Sequence, residues 1–119
     1  MSFNQSLSYR FVEGPNVNSS LSFEGQTVTF KVAVDGNEAE GTWTINFEEK
    51  SLAFSSIIHA GAHAVCIISC LGISVGKPLL ECLLRSRSLA DVEKCLKDKA
   101  VGALADAALC IAHCLNIIP

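Results

Sequence analysis

The first sixty-five residues of the chain contain no cysteine, and positions 51–76 contain no residue of formal charge. Charge is scarce overall: 18% of residues are charged, 50% are hydrophobic and the mean hydropathy is +0.38, which excludes the polar, self-repelling composition of a disordered chain. Clustered lysine and arginine are missing as well. With a net charge of -3 and a pI near 5.5, a sequence-independent grip on phosphates is excluded, and nucleic acid is not an expected partner.

Other absences narrow the field further. The opening "MSFNQSLSYRFVEG" lacks a basic start followed by an apolar run, so a cleavable secretory signal is not expected. Ser55, Ser56, His59, His63 and the cysteines supply nucleophile and base types, yet no G-x-S-x-G elbow, phosphate loop, H-E-x-x-H helix or paired-carboxylate motif frames them. Catalysis requires placed groups, so an enzyme is not the expected class. Without an internal repeat or a low-complexity linker, 119 residues make one domain. A change of period near Glu49 divides it into a β-sheet subdomain, 1–49, and a cysteine-containing helical subdomain, 50–119. Charge follows that division. Residues 1–50 carry three bases and seven acids, and residues 51–119 carry six bases and five acids.

Residues 5–48 alternate apolar and polar side chains with a period of two, the pattern of a strand with one face buried and one wet. Leu7, Tyr9 and Phe11 form one apolar set, Val17, Leu21 and Phe23 a second, Val28, Phe30, Val32 and Val34 a third, and Trp43, Ile45 and Phe47 a fourth. Gly14-Pro15-Asn16, Glu24-Gly25-Gln26 and Asp35-Gly36-Asn37 separate them as turn sequences, since Gly and Asn tolerate positive φ and Pro presets a turn. Connections this short predict a four-stranded antiparallel meander. Its outward residues are Ser, Thr, Asn and Arg or Lys, and its apolar face requires a cover.

The remaining chain provides one. Apolar residues of the uncharged stretch 51–76 surround a helix axis on most sides, which predicts a buried or lipid-embedded helix. Gly72 is expected to stop it and Pro78 to open a short second helix. Ser88, with Asp91 three residues on, is the expected N-cap of a third helix running from Leu89 towards Leu115. The predicted fold is therefore α+β: the meander packed on a C-terminal layer of two to three helices that include an antiparallel helical hairpin.

Six cysteines at 66, 70, 82, 95, 110 and 114 all lie in that layer, with nearly mirrored spacing. Folding the segment into a hairpin sets Cys66 opposite Cys114, Cys70 opposite Cys110 and Cys82 near Cys95. Cysteines four apart share a helix face, so two such pairs on facing helices suit two bridges. Six cysteines nonetheless allow fifteen pairings, and spacing alone does not choose among them. Two other readings stand beside this one. Reduced thiols pack as small hydrophobes in a cytoplasmic protein. Alternatively His59, His63, Cys66 and Cys70 on one helical face, with Cys110, His113 and Cys114 opposite and Asp106 one turn earlier, offer soft S and N donors suited to Zn or Cu.

The segment from Cys66 to Cys114 resembles saposin-like domains, in which the first cysteine pairs with the sixth, the second with the fifth and the third with the fourth, within helices that bind or disrupt membranes. A hydrophobic, Gly- and Cys-rich helical segment behind a different N-terminal part also looks like the halocin-type bacteriocin precursors. Both resemblances imply a membrane-active or lipid-binding protein of the toxin or bacteriocin kind. The nearly uncharged stretches 51–76 and 100–119 agree, each being long enough as a helix to cross a hydrocarbon core of roughly 30 Å. The alternative is a soluble binding or assembly module that shares apolar surface in a homo-oligomer. The expected location is secreted or extracytoplasmic if the cysteines are bridged, and cytoplasmic otherwise.

Overall fold

A computed structural model describes residues 2–10, 16–34, 37–59 and 63–115. Five strands precede the helices: β1 (Ser2–Arg10), β2 (Asn16–Glu24), β3 (Thr27–Val34), β4 (Asn37–Asn46) and β5 (Ser51–His59). They form one sheet in the order β1-β2-β3-β4-β5, every neighbour antiparallel, so the predicted meander is present with one strand more. Between β2 and β3 the chain reverses at Gly25, whose φ of 63° is the backbone freedom that turn requires. The other two predicted turns, at Gly14-Pro15 and Asp35-Gly36, lie outside the described residues, as does Phe11.

Alternation in sequence becomes separation of faces. Val17, Leu21, Phe23, Val28, Phe30, Val32, Val34, Ala39, Trp43 and Ile45 all turn to one side and are buried. On the other side Asn4, Ser22, Thr29, Thr42 and Ser55 stand in register across all five strands, a continuous polar row.

The fifth strand overturns the expectation of a helix from 51 onward. In "SLAFSSIIH" the even-numbered residues Leu52, Phe54, Ser56 and Ile58 pair with Ile45, Trp43, Gly41 and Ala39 on the inner face. Because β5 is an edge strand, its outer positions include Ala53 and Ile57 rather than charged residues, and its inner set includes a serine. The period of two is thereby masked, and an edge strand with no charge reads as part of the greasy helix that follows it. Phe47 falls just past the end of β4 rather than within it. There it supports the turn at 47–50, where Glu49 N–H donates to Asn46 Oδ1 at 3.1 Å and Lys50 N–H to the Phe47 carbonyl at 3.3 Å.

The helices are α1 (Ala64–Leu71), α2 (Lys77–Arg85) and α3 (Leu89–Cys114). Gly72 does not stop α1. Its φ and ψ of -63° and -44° are helical, and a wide π turn over Gly72–Gly76 runs directly into α2, making one rod, Ala64–Arg85. Pro78 sits in the first turn of α2 without breaking the rod. The wide turn has a physical reason in the spacing of the core residues. Ile67, Leu71, Val75, Leu79 and Leu83 are each fully buried and each four residues apart. At about 100° per residue, four such steps carry the side chains roughly 160° around an α-helix; a π turn absorbs one residue and brings the drift back to about 60°. All five then join the core that the sheet's inner face lines. The approach is closest at Trp43, where a Cβ on Gly76 would lie 3.2 Å from the indole Nε1 and one on Gly41 3.1 Å from Trp43, Phe54 and Leu71 alike.

Ser88 caps α3 as predicted: its hydroxyl accepts from Asp91 N–H at 3.2 Å, and the Asp91 carboxylate accepts from Arg87 N–H at 3.2 Å. At the other side of the same bend Lys50, held at φ 53°, places its ammonium 3.6 Å from the centre of the Phe47 ring. The ammonium also donates to the carbonyls of Leu83 at 3.1 Å and Ser86 at 2.7 Å. A cation thus satisfies the orphan carbonyls at the end of α2. Replacing Lys50 with Met keeps the apolar stem and removes these bonds; the expected loss is about 1–3 kcal/mol, read as a lower midpoint in urea unfolding followed by the fluorescence of Trp43 with all bridges oxidised.

Candidate functional site

The bend at 86–88 returns α3 antiparallel to the rod, and three disulfides join the two arms. They pair Cys66 with Cys114, Cys70 with Cys110 and Cys82 with Cys95, at Cα–Cα distances of 5.7, 5.7 and 5.6 Å. Each distance lies within the range a disulfide spans without backbone distortion. The nesting follows from the hairpin: residues four apart on one helix meet residues four apart on the other, in reverse order. No cysteine is free.

In this bridged state the cysteines are neither core thiols nor metal-ligating thiolates: the sulfurs of Cys66, Cys70 and Cys114 lie within 4.8 Å of one another, but these atoms, like that of Cys110, are bonded in pairs, and a metal requires thiolates. The histidines do not complete a set either. His59 ends β5 instead of sharing a helical face with the cysteines, His63 precedes α1 half-buried, and His113 on α3 is exposed. Asp106, the other proposed donor, is exposed on α3.

A surface feature that the sequence pattern did not single out lies on the rod. Val65 is 79% exposed, Ile73 67% and Leu84 60%, with Ile68 and Leu80 about two-fifths exposed, and Phe54 and Ile57 of β5 are exposed as well. Val65 and Leu84 are nineteen residues apart, which on a plain α-helix places them about 100° out of line; the π turn removes that offset, and it aligns Ile68 with Leu80 in the same way. So the turn that buries one stripe also builds a second, solvent-facing one. Phe54 borders it from the sheet, since its ring lies at 4.9 Å from Trp43 and touches the space above Gly41 beside Leu71. Among the described residues Ala64–Arg85 is the one helix long and apolar enough to cross a membrane, and 44% of its most apolar window is buried. The expected spans were 51–76 and 100–119. The first is overturned because its opening nine residues are a strand; the second runs on into 116–119, outside the described residues. The register of the rod was the missing signal: nothing in the residue types announces a π turn, but the strict four-residue spacing of its core side chains does.

The sheet's opposite face carries a shallow concavity of about 510 Å³ with Asn18, Ser20, Lys31, Glu38 and Glu40 on its walls. Ala33 and Ile57 line it as well, so it is mixed in polarity and in charge.

No protein-family model matches the chain, nor does any curated protein or solved structure. The features above define a small α+β protein stapled by three disulfides, and the bridges are consistent with an extracellular location. Closing the loop between Cys82 and Cys95, with its sequence separation of 13, is expected to stabilise the fold by about 3 kcal/mol. A Cys82→Ser/Cys95→Ser variant measured by urea unfolding against the parent checks this, a shift under a third of that size counting against the structural role of the bridge.

Proposed function

We propose that the protein is a secreted, membrane-binding protein of the toxin or bacteriocin kind, and that the outward stripe of the Ala64–Arg85 rod is the surface that meets lipid. The observation that carries this reading is the alignment of Val65, Ile68, Ile73, Leu80 and Leu84 along one exposed flank, continued by Phe54. Single exposed apolar residues are ordinary; a row of them along a rod is the mark of an interaction surface. Transferring what remains exposed of these side chains into hydrocarbon contributes on the order of 5 kcal/mol, enough for reversible interfacial binding. The polar row on the sheet's far face and the charges of α3 keep the rest of the molecule in water. The nested order of the bridges agrees with the likeness to saposin-like domains, whose stapled helices act on membranes. In this reading the staples keep the hairpin intact while its flank enters the interface.

A Val65→Asp/Leu84→Asp variant places two carboxylates at the most exposed positions at either end of the flank and leaves the buried stripe alone. It is expected to lose at least tenfold in liposome co-sedimentation while retaining the parent's unfolding midpoint. Wild-type protein that neither sediments with vesicles nor releases an entrapped dye at micromolar concentration overturns the reading.

A second reading, assembly into a homo-oligomer, draws on a different observation. β5 is a sheet edge of nine residues with no Lys, Glu, Pro or bulge along its paired length, and it exposes Phe54 and Ile57. Such an edge is a template for another strand. Antiparallel pairing of β5 with β5 of a second copy joins two sheets into one. Light scattering at high micromolar concentration is expected to give a dimer that Ile57→Lys converts to monomer; a monomeric wild type discards this reading and leaves the membrane reading standing.

A further inference from the structure

Two of the three bridges are in contact with each other. The Sγ atoms of Cys70 and Cys114, which belong to different disulfides, approach to 3.4 Å. Both sulfurs are bonded and carry no proton, so the contact is one of sulfur against sulfur. Accessibility around it is uneven. Cys66 is exposed, Cys114 is 7% exposed and Cys70 is 1% exposed. An incoming thiolate therefore meets one sulfur of this cluster first.

We propose that Cys66 is a thiol-modification site, and that attack there passes a disulfide exchange inward from the Cys66–Cys114 bridge to the Cys70–Cys110 bridge. The partner is a small-molecule thiol in its thiolate form. In the first step its sulfur bonds to Cys66 Sγ, the Cys66–Cys114 bond breaks, and the electron pair leaves on Cys114 as a thiolate. In the second step the Cys114 thiolate, already beside Cys70 Sγ, bonds to it; the Cys70–Cys110 bond breaks and the pair leaves on Cys110. One external thiol is consumed and one protein thiol appears, so no oxidant or reductant enters. Cys110 is half-buried, with less protein over it than Cys114 has. It either keeps the charge as a free thiol or returns to Cys66 and expels the small thiol, closing a Cys66–Cys110 bridge.

Position on the helix argues for the opposite first step, because Cys66 lies in the first turn of α1, where the helix dipole stabilises a thiolate and makes it the better leaving group. Access decides against it. Displacement at sulfur requires the nucleophile to reach the atom it attacks, and Cys114 is covered. The Cys82–Cys95 bridge stands apart from this exchange: it lies near the bend of the hairpin, away from α1's first turn, with Cys82 fully buried and Cys95 half-buried where Cys66 is exposed.

The experiment is limited treatment of the oxidised, intact protein with reduced glutathione at neutral pH, then acid quench, alkylation and peptide mapping. The expected product contains a Cys70–Cys114 bridge, with either glutathione on Cys66 and the alkyl label on Cys110, or a closed Cys66–Cys110 bridge; Cys82–Cys95 is unchanged. Alkyl label on Cys114 with Cys70–Cys110 still bonded overturns the relay. So does glutathione on Cys114, a first reaction at Cys82–Cys95, or no reaction while a solvent-exposed model disulfide is reduced. In a Cys70→Ser/Cys110→Ser variant, which lacks the second bridge, the alkyl label is expected on Cys114 instead. Should that variant not fold, the wild-type map alone decides.

Discussion

Five apolar side chains spaced four residues apart must all join the core beneath one sheet, and a regular α-helix does not permit it. The widened turn at Gly72–Gly76 satisfies that demand, and most of the molecule's character follows. Because the rod stays in register with the sheet from Ile67 to Leu83, Trp43 and Gly41 of β4 are sealed beneath it. Because it stays straight enough to run alongside α3, cysteines at both ends of the hairpin meet their partners. And because correcting the drift of one stripe corrects every stripe, an apolar row also lines up on a flank left exposed among the described residues. Burial and exposure here are two outcomes of a single adjustment in helical register.

The core alone explains the sheet but not the persistence of the hairpin. A two-layer domain of this size buries a limited apolar surface, and α3 contributes many alanines, Ala100, Ala103, Ala107, Ala108 and Ala112 among them, which pack closely yet bury little each. Covalent links compensate where side-chain volume is small. Two of them sit within one turn of each other at the alanine-rich end, and the third sits near the bend, where Leu83, Val92 and Leu96 are also fully buried. The polar row on the outer sheet face has the converse role, since hydroxyl and amide groups in register across all five strands keep the middle of that face in water.

Much of this architecture is legible in the residues. Strict alternation in β2 and β3, a glycine able to adopt positive φ at 25, and the Ser88–Asp91 cap each rest on local chemistry, and each is where the pattern puts it. The mirrored cysteines indicated a hairpin because their spacing is a geometric property of two antiparallel helices, although the choice among pairings needed coordinates. What escaped did so for identifiable reasons. β5 lies at a sheet edge, where neither face is forced to be purely polar or purely apolar, so its period disappears into the uncharged stretch after it. Gly72 carries the residue type of a helix terminus and is itself exposed, but it is carried through the helix by the burial of Leu71 before it and Val75 after it. The donor set His59, His63, Cys66 and Cys70 rested on one continuous helix through 59–70, and it dissolved once β5 claimed His59 and the bridges claimed the sulfurs. The apolar flank was invisible because it depends on a shift of helical register, about 100°, that no single residue encodes.

Lys50 gives the two layers a clasp. Its ammonium fastens the β4–β5 turn to the closing carbonyls of the rod, so at the bend the sheet and the hairpin are tied by charge as well as by contact. The rod's opposite tip is tied to the sheet by the chain itself, since only four residues separate His59 of β5 from Ala64, and it is tied sideways to α3 through sulfur. The two layers are therefore held at both ends, by an ammonium that could be titrated or replaced at one and by a peptide bond that could not at the other.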